Sequence, residues 1–175
     1  CGAVLAVGGG KAGEAPVARV RNHLRPRGDR AGILTDLPHA DVMALFARAA
    51  ICVVPSVWAE PFGRTALEAM TCGAAVITSG RGGLAEVVGD TAIVTNSVAP
   101  ADFAAAITRL IDSDDERRRL QAAGRERARK FFDIRIVTAG VDDLLPNAGP
   151  ADCADPVPRA PPVPRTTPAS RAHPA

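Results

Sequence analysis

Short apolar runs alternate with segments of helical period along most of the chain. Ala3–Val7 is an apolar run of strand length, stopped by Gly8–Gly10. Glu14–Leu24 carries Val17, Val20 and Leu24 at helical spacing and then meets Pro26 and Gly28, which predicts a helix ending there. Ala31–Thr35 predicts a second strand. His39–Ala50 sets Val42, Leu45, Phe46 and Ala49 on one helical face, with Asp41 in the first turn, where a carboxylate complements the helix dipole. Ile51–Val54 is a third strand closed by Pro55–Ser56, and Gly63–Cys72 is a helix stopped at Gly73. Ala75–Thr78 predicts a fourth strand, Leu84–Val88 a short helix and Ala92–Val94 a fifth strand. Two helices follow, Ala101–Ile111 and Ser113–Phe132. The second opens on a capping box, Ser113 with Glu116, and carries acids at its start and Arg127, Arg129 and Lys130 at its end.

Strands that are apolar throughout, rather than alternating, are buried on both faces. Joined by helices, they predict an α/β fold with a Rossmann-like parallel sheet and helices on both faces, over residues 1–145. Residues 146–175 hold nine of the fifteen prolines and almost no large apolar side chains. Such a segment cannot offset its ordering entropy, and it predicts a disordered, Pro-rich tail, with or without a proline-binding partner.

Composition narrows the function classes. With 175 residues, 47% of them hydrophobic and 23% charged, the chain can build one core and is not globally disordered. A net charge of +2 is too mild to point to nucleic acid. The charged segment 113–132 mixes acids with its bases, offers only Phe131 and Phe132 for stacking, and reads as a solvated helix face. No apolar run reaches the roughly 20 residues that cross a bilayer. Cys1, Cys52, Cys72 and Cys153 lack disulfide or metal spacing, and Cys52 and Cys72 read as buried free thiols in a reducing compartment. The sequence opens inside a strand, without Met or a signal-peptide pattern, so a piece of a longer protein is expected.

Ligands of doubly wound sheets bind at the carboxyl ends of the strands, and two segments there carry chemistry. Gly8–Gly13 is a formal G-x-G-x-x-G, and Asp36 at the end of the next strand is a candidate ribose acid, together a fingerprint for NAD. The same glycines serve any tight turn, and Pro16 and the late helix onset fit a dinucleotide poorly. The second segment is Ser56–Met70. Its helix start near Gly63–Thr65 offers free backbone N–H groups to an anion, Gly63 has no side chain to obstruct a phosphate, and Arg64 can add charge if it points inward. Glu60 precedes the helix and Glu68 lies about one turn inside it. Two carboxylates repel a bare anion, yet each can accept bidentate hydrogen bonds from vicinal hydroxyls. A nucleoside diphosphate sugar has that layout. The plainer alternative is Glu60 favouring the helix dipole beside a solvated Glu68.

The stretch VVPSVWAEPFGRTALEAMTCGAAVITSGRGGLAEVVGD resembles the C-terminal domain of glycosyltransferase family 4, retaining enzymes of the GT-B fold. The resemblance runs from about Ala3 to Phe132 and includes the opening GGG, the HADVMALFARAAICVVPS approach, the E-x7-E pair Glu60 and Glu68, and the GGLAEVV loop. It implies that Glu60 binds hydroxyls of the donor sugar and helps hold the oxocarbenium geometry. The Phe62, Gly63, Arg64 and Thr65 backbone would hold the donor phosphates, Glu68 the nucleoside ribose, and Gly82 and Gly83 would lie near the donor. It implies no metal and no cofactor, with the leaving diphosphate stabilised by helix dipole and basic residues, and transfer of a hexosyl group to a glycan or lipid acceptor. It also implies what is lacking. The Arg and Lys that clamp the diphosphate would precede Cys1 and are matched by neither Lys11 nor Arg64, and the acceptor-binding N-terminal domain is missing. The strand expected between Ala3–Val7 and Ile51–Val54 is absent too, so the sheet must close that gap or leave two open edges, with low stability and no activity for these residues alone. Donor availability implies the cytosol, with peripheral attachment to the inner membrane face if the acceptor is a lipid. An NAD-dependent oxidoreductase using Gly8–Gly13 and a degenerate nucleotide-binding or interaction module remain the other readings.

Overall fold

The computed structural model describes residues 3–6, 14–26, 31–95 and 97–144. In chain order these form β1 (Ala3–Ala6), α1 (Glu14–Leu24), β2 (Ala31–Leu34), α2 (His39–Arg48), β3 (Ile51–Val54), α3 (Arg64–Cys72), β4 (Ala75–Thr78), α4 (Gly83–Val88), β5 (Ile93–Val94), α5 (Pro100–Asp112), α6 (Asp114–Phe132) and α7 (Ile134–Leu144). The chain divides into two compact units at Thr138, and the second contributes only the end of α7 to the described residues. Gly8–Gly13, Lys11, Cys1, Cys153 and the Pro-rich segment 146–175 lie outside the described residues.

All strand pairs are parallel, β1 with β2 in one sheet and β3-β4-β5 in another. The apolar AVIT run of β4 is buried at all four positions, as expected of a strand covered on both faces. Its alternating side chains serve two half-cores. Val76 packs with Val54, with Ala66, Ala69 and Met70 of α3, and with Leu84, Val87 and Val88 of α4. Ala75 and Ile77 pack with Phe103, Ala106 and Leu110 of α5 and with Leu120 of α6. Each large side chain so buried contributes roughly 1.5–3 kcal/mol.

The single sheet expected from the pattern is instead two, with no shared ladder among the described residues. The break falls between β1 and β3. Burial fades toward it. Only Val54 of β3 is fully buried, and α2 buries none of its residues completely, so its Val42, Leu45, Phe46 and Ala49 face is only half covered.

Two further expectations change. Ser113 caps α6 by accepting from the Glu116 N–H at 3.3 Å, but the box is one-sided. The Glu116 carboxylate turns to Arg109 in the last turn of α5, with Nε at 2.8 Å and Nη2 also bonded, while the Ser113 N–H donates to the Arg109 carbonyl at 3.1 Å. A forked charge-assisted pair outcompetes a neutral cap. The basic face of α6 is also not simply solvated. Arg125 donates to the Cys72 carbonyl at 3.2 Å, and Arg127 donates to Val87 and Glu86 carbonyls at 2.8 and 2.7 Å. These guanidiniums satisfy the orphan carbonyls that end α3 and α4. Beyond the elements the pattern predicts, helix α7 follows Asp133, whose carboxylate accepts the Arg135 N–H at 2.9 Å. Cys52 and Cys72 are half-buried free thiols, and burial pushes the Cys52 thiol up to about 11.

Candidate functional site

The carboxyl end of β3 runs through Pro55 and the buried Ser56 into a loop that delivers Glu60 to the start of α3. That loop is stapled to the loop after β4. Glu60 N–H donates to the Arg81 carbonyl at 3.3 Å, Gly83 N–H donates to the Glu60 carbonyl at 2.7 Å, and Glu60 and Gly82 form a parallel bridge. Behind it, the Ser79 hydroxyl donates to the Ser56 carbonyl at 2.8 Å and the buried Thr78 hydroxyl to the Val54 carbonyl at 3.2 Å. Gly82 and Gly83 are thus in direct backbone contact with Glu60.

Gly63 is the N-cap of α3, at φ 99°, and offers no capping side chain. The Ala66 and Leu67 N–H groups both donate to its carbonyl, at 3.0 and 3.2 Å. The Arg64 and Thr65 N–H groups have no hydrogen-bond acceptor among the described residues. Two orphan donors at the positive end of a helix are free to meet an anion. Gly63 itself is buried, and a Cβ there would sit 2.8 Å from Leu84 Cδ2, so its lack of a side chain is set by packing and by its left-handed backbone.

The two carboxylates flank this helix start and each is already engaged through one oxygen. The Ser56 hydroxyl donates to Glu60 Oε1 at 2.6 Å. His39 Nε2, at the first residue of α2, lies 3.0 Å from Glu68 Oε1, and Arg64 Nε lies 3.4 Å from the same oxygen. Arg64 thus turns along its own helix toward Glu68, one turn on, with most of its side chain in solvent. This pairing moderates the repulsion that two glutamates would exert on an anion between them. Phe62 makes an edge-to-face contact with Phe132 of α6, centroids 5.8 Å apart, and stays half exposed. Thr65 is exposed, as are Val57 and Trp58 on the loop. Asp36 is exposed in a left-handed turn at φ 55°. Two shallow cavities of about 210 and 190 Å³ lie elsewhere, against α1 with β2 and against α2 with Leu34, and neither glutamate lines them. The glutamate pair stands on an open face.

The family model described as "Glycosyl transferases group 1" matches residues 4–127, well over half of the chain. The chain belongs to the group 1 glycosyltransferases. Among relatives of this group 1 domain, an MMP alpha-(1->4)-mannosyltransferase of Mycolicibacterium hassiacum is 34% identical over 131 residues, which are 66% of this chain and 32% of that protein. A glycogen synthase of Mycobacterium tuberculosis is 40% identical over 106 residues, 58% of this chain and 25% of that protein. Among solved structures, sucrose-phosphate synthase from Thermosynechococcus elongatus superposes with a TM-score of 0.70 at 30% identity, covering 82% of this chain and 37% of that one. Anabaena HepE in complex with UDP superposes with a TM-score of 0.72 at 25% identity, covering 83% and 40%. The fold is that of the GT-B glycosyltransferases, and the chain spans about a quarter to a third of the length of these two curated relatives.

Two residues that contact the glutamates, Ser56 and His39, are not singled out by the sequence pattern. Ser56 sits in the quoted motif four positions before Glu60, a spacing that is a usable signal once the loop is known to turn back. His39 has no local signal, because its partner is on another helix.

Proposed function

We propose that the chain is the nucleotide-sugar-binding domain of a retaining hexosyltransferase of glycosyltransferase family 4, serving a glycan or lipid acceptor. The observation that carries this reading is the pair of unpartnered N–H groups of Arg64 and Thr65, set between Glu60 and Glu68 at one helix start. In this reading the Phe62–Thr65 backbone receives the diphosphate, with Arg64 turned toward Glu68 beside it. Glu68 accepts from ribose hydroxyls, and Glu60, held by Ser56, accepts from the hexose as positive charge develops at its anomeric carbon. Gly82 and Gly83 keep Glu60 in place. Stabilisation of the leaving diphosphate comes from the helix start, an electrostatic contribution that needs no metal or cofactor. The names of the relatives, a mannosyltransferase and a glycogen synthase, and the UDP held by Anabaena HepE support a sugar donor of this kind. Among the described residues no helix is long and apolar enough to cross a membrane. A cytosolic enzyme that meets a lipid acceptor at the inner membrane face fits the reading.

Saturation-transfer NMR on this chain with UDP, GDP, ADP and NAD at millimolar concentration tests the proposal. Transfer to one nucleoside diphosphate, lost in Glu68→Ala, is expected. Transfer to NAD alone would move the site to Gly8–Gly13 and refute the transferase reading. Silence from a chain shown to be folded would refute it in favour of a non-catalytic module.

A further inference from the structure

We infer that His39 is a positioning residue for Glu68, deciding which carboxylate oxygen meets the donor nucleoside; this rests on the role proposed above for Glu68. The geometry is a convergence on one atom. His39 Nε2 at 3.0 Å and Arg64 Nε at 3.4 Å both address Glu68 Oε1, and no hydrogen bond among the described residues engages Oε2. The terminal torsion of a glutamate is broad, so an untethered carboxylate presents either oxygen over a wide arc. Anchoring Oε1 fixes the carboxylate plane and leaves Oε2 as the acceptor on offer.

The two anchors differ in kind. Arg64 is on the same helix as Glu68, four residues before it, and moves with it. His39 belongs to α2, twenty-nine residues away in sequence, and ties the carboxylate to a second element. Glu68 is 19% exposed at its side chain against 65% for His39, so the carboxylate is the settled partner and the imidazole reaches it from the surface. A neutral imidazole with its proton on Nε2 and an imidazolium both donate in this direction. As a bare surface pair the contact would contribute little to stability and nothing to binding. Placed on the carboxylate assigned to the ribose, it instead reduces the ordering required when a nucleotide arrives.

The test is a double-mutant cycle on the dissociation constants of UDP, GDP and ADP, titrated separately, with melting temperature recorded for every variant. His39→Ala should weaken the nucleotide that binds by about three- to tenfold, the worth of one hydrogen bond. His39→Gln, whose side-chain amide can donate from nearly the Nε2 position, should recover most of that loss. In a Glu68→Ala background, His39→Ala should have no further effect. An unchanged or tighter constant in His39→Ala, with Glu68→Ala clearly weaker, would overturn the role of His39 alone. The same loss in both backgrounds would also overturn it, because His39 would then act independently of Glu68. A constant unmoved by Glu68→Ala would overturn the reading on which both rest.

Discussion

Gly82→Ala puts a methyl group where the protein has the backbone of Glu60. A Cβ at this position would lie 2.4 Å from the Glu60 carbonyl oxygen, 2.7 Å from its nitrogen and 2.9 Å from the Ala59 carbonyl carbon. All three are backbone atoms, so relief cannot come from a rotamer change. The φ of 63° with ψ of −136° is territory that only glycine visits without strain, at a cost of about 1–3 kcal/mol for another residue. Moving the two loops apart also loosens the Gly83–Glu60 and Glu60–Arg81 hydrogen bonds, each worth about 0.5–1.5 kcal/mol net. Together the loss is about 2–6 kcal/mol, a large share of the roughly 5–15 kcal/mol that holds a domain of this size. Gly82 is nonetheless solvent exposed, so exposure alone would class alanine there as harmless. Urea denaturation followed by far-UV circular dichroism reads the difference. A midpoint for Gly82→Ala equal to that of the unaltered chain would refute the stapled-loop account.

Gly124→Ala makes the opposite case in the same assay. Its Cβ would meet Met70 Cγ at 3.4 Å, ordinary van der Waals contact, in the interior of α6. The midpoint should rise by the equivalent of about 0.5–1 kcal/mol from helix propensity. Hydrogen bonds from Arg135 hold the Asp133 carboxyl down at about 2. A depressed carboxylate stabilises the fold above the unfolded carboxyl range, and the contribution is lost as pH falls through about 2. Carbon-detected NMR should find that midpoint, and Arg135→Ala should raise it toward 3.8.

The strand–helix alternation is legible because apolarity over four residues has one economical solution when helices flank it. The AVIT run of β4 reads as buried on both faces and is. The glutamate spacing is legible too, since Glu60 and Glu68 are fixed by one loop and one helix. Contacts between elements are not. Arg125 and Arg127 look like a solvated charge run in sequence because nothing local says that the ends of α3 and α4 lie beneath them. Gly63 reads as making room for a phosphate, whereas its neighbour in the direction of a side chain is Leu84, from a different helix. His39 is invisible for the same reason. The capping box forms on the Ser113 side only, because Arg109, seven residues upstream, offers Glu116 a charged fork that no motif records.

If the start of α3 receives a diphosphate, its backbone amides must report it. A titration of the isotope-labelled chain with UDP, GDP and ADP, followed by amide shifts, is the measurement to make. The Arg64 and Thr65 amides should move furthest, with smaller changes at Phe62, Gly63 and Glu68 and none for Glu68→Ala at the same nucleotide concentration. Shifts confined to Gly8–Gly13, or an α3 start that stays still while nucleotide binds elsewhere, would contradict the assignment.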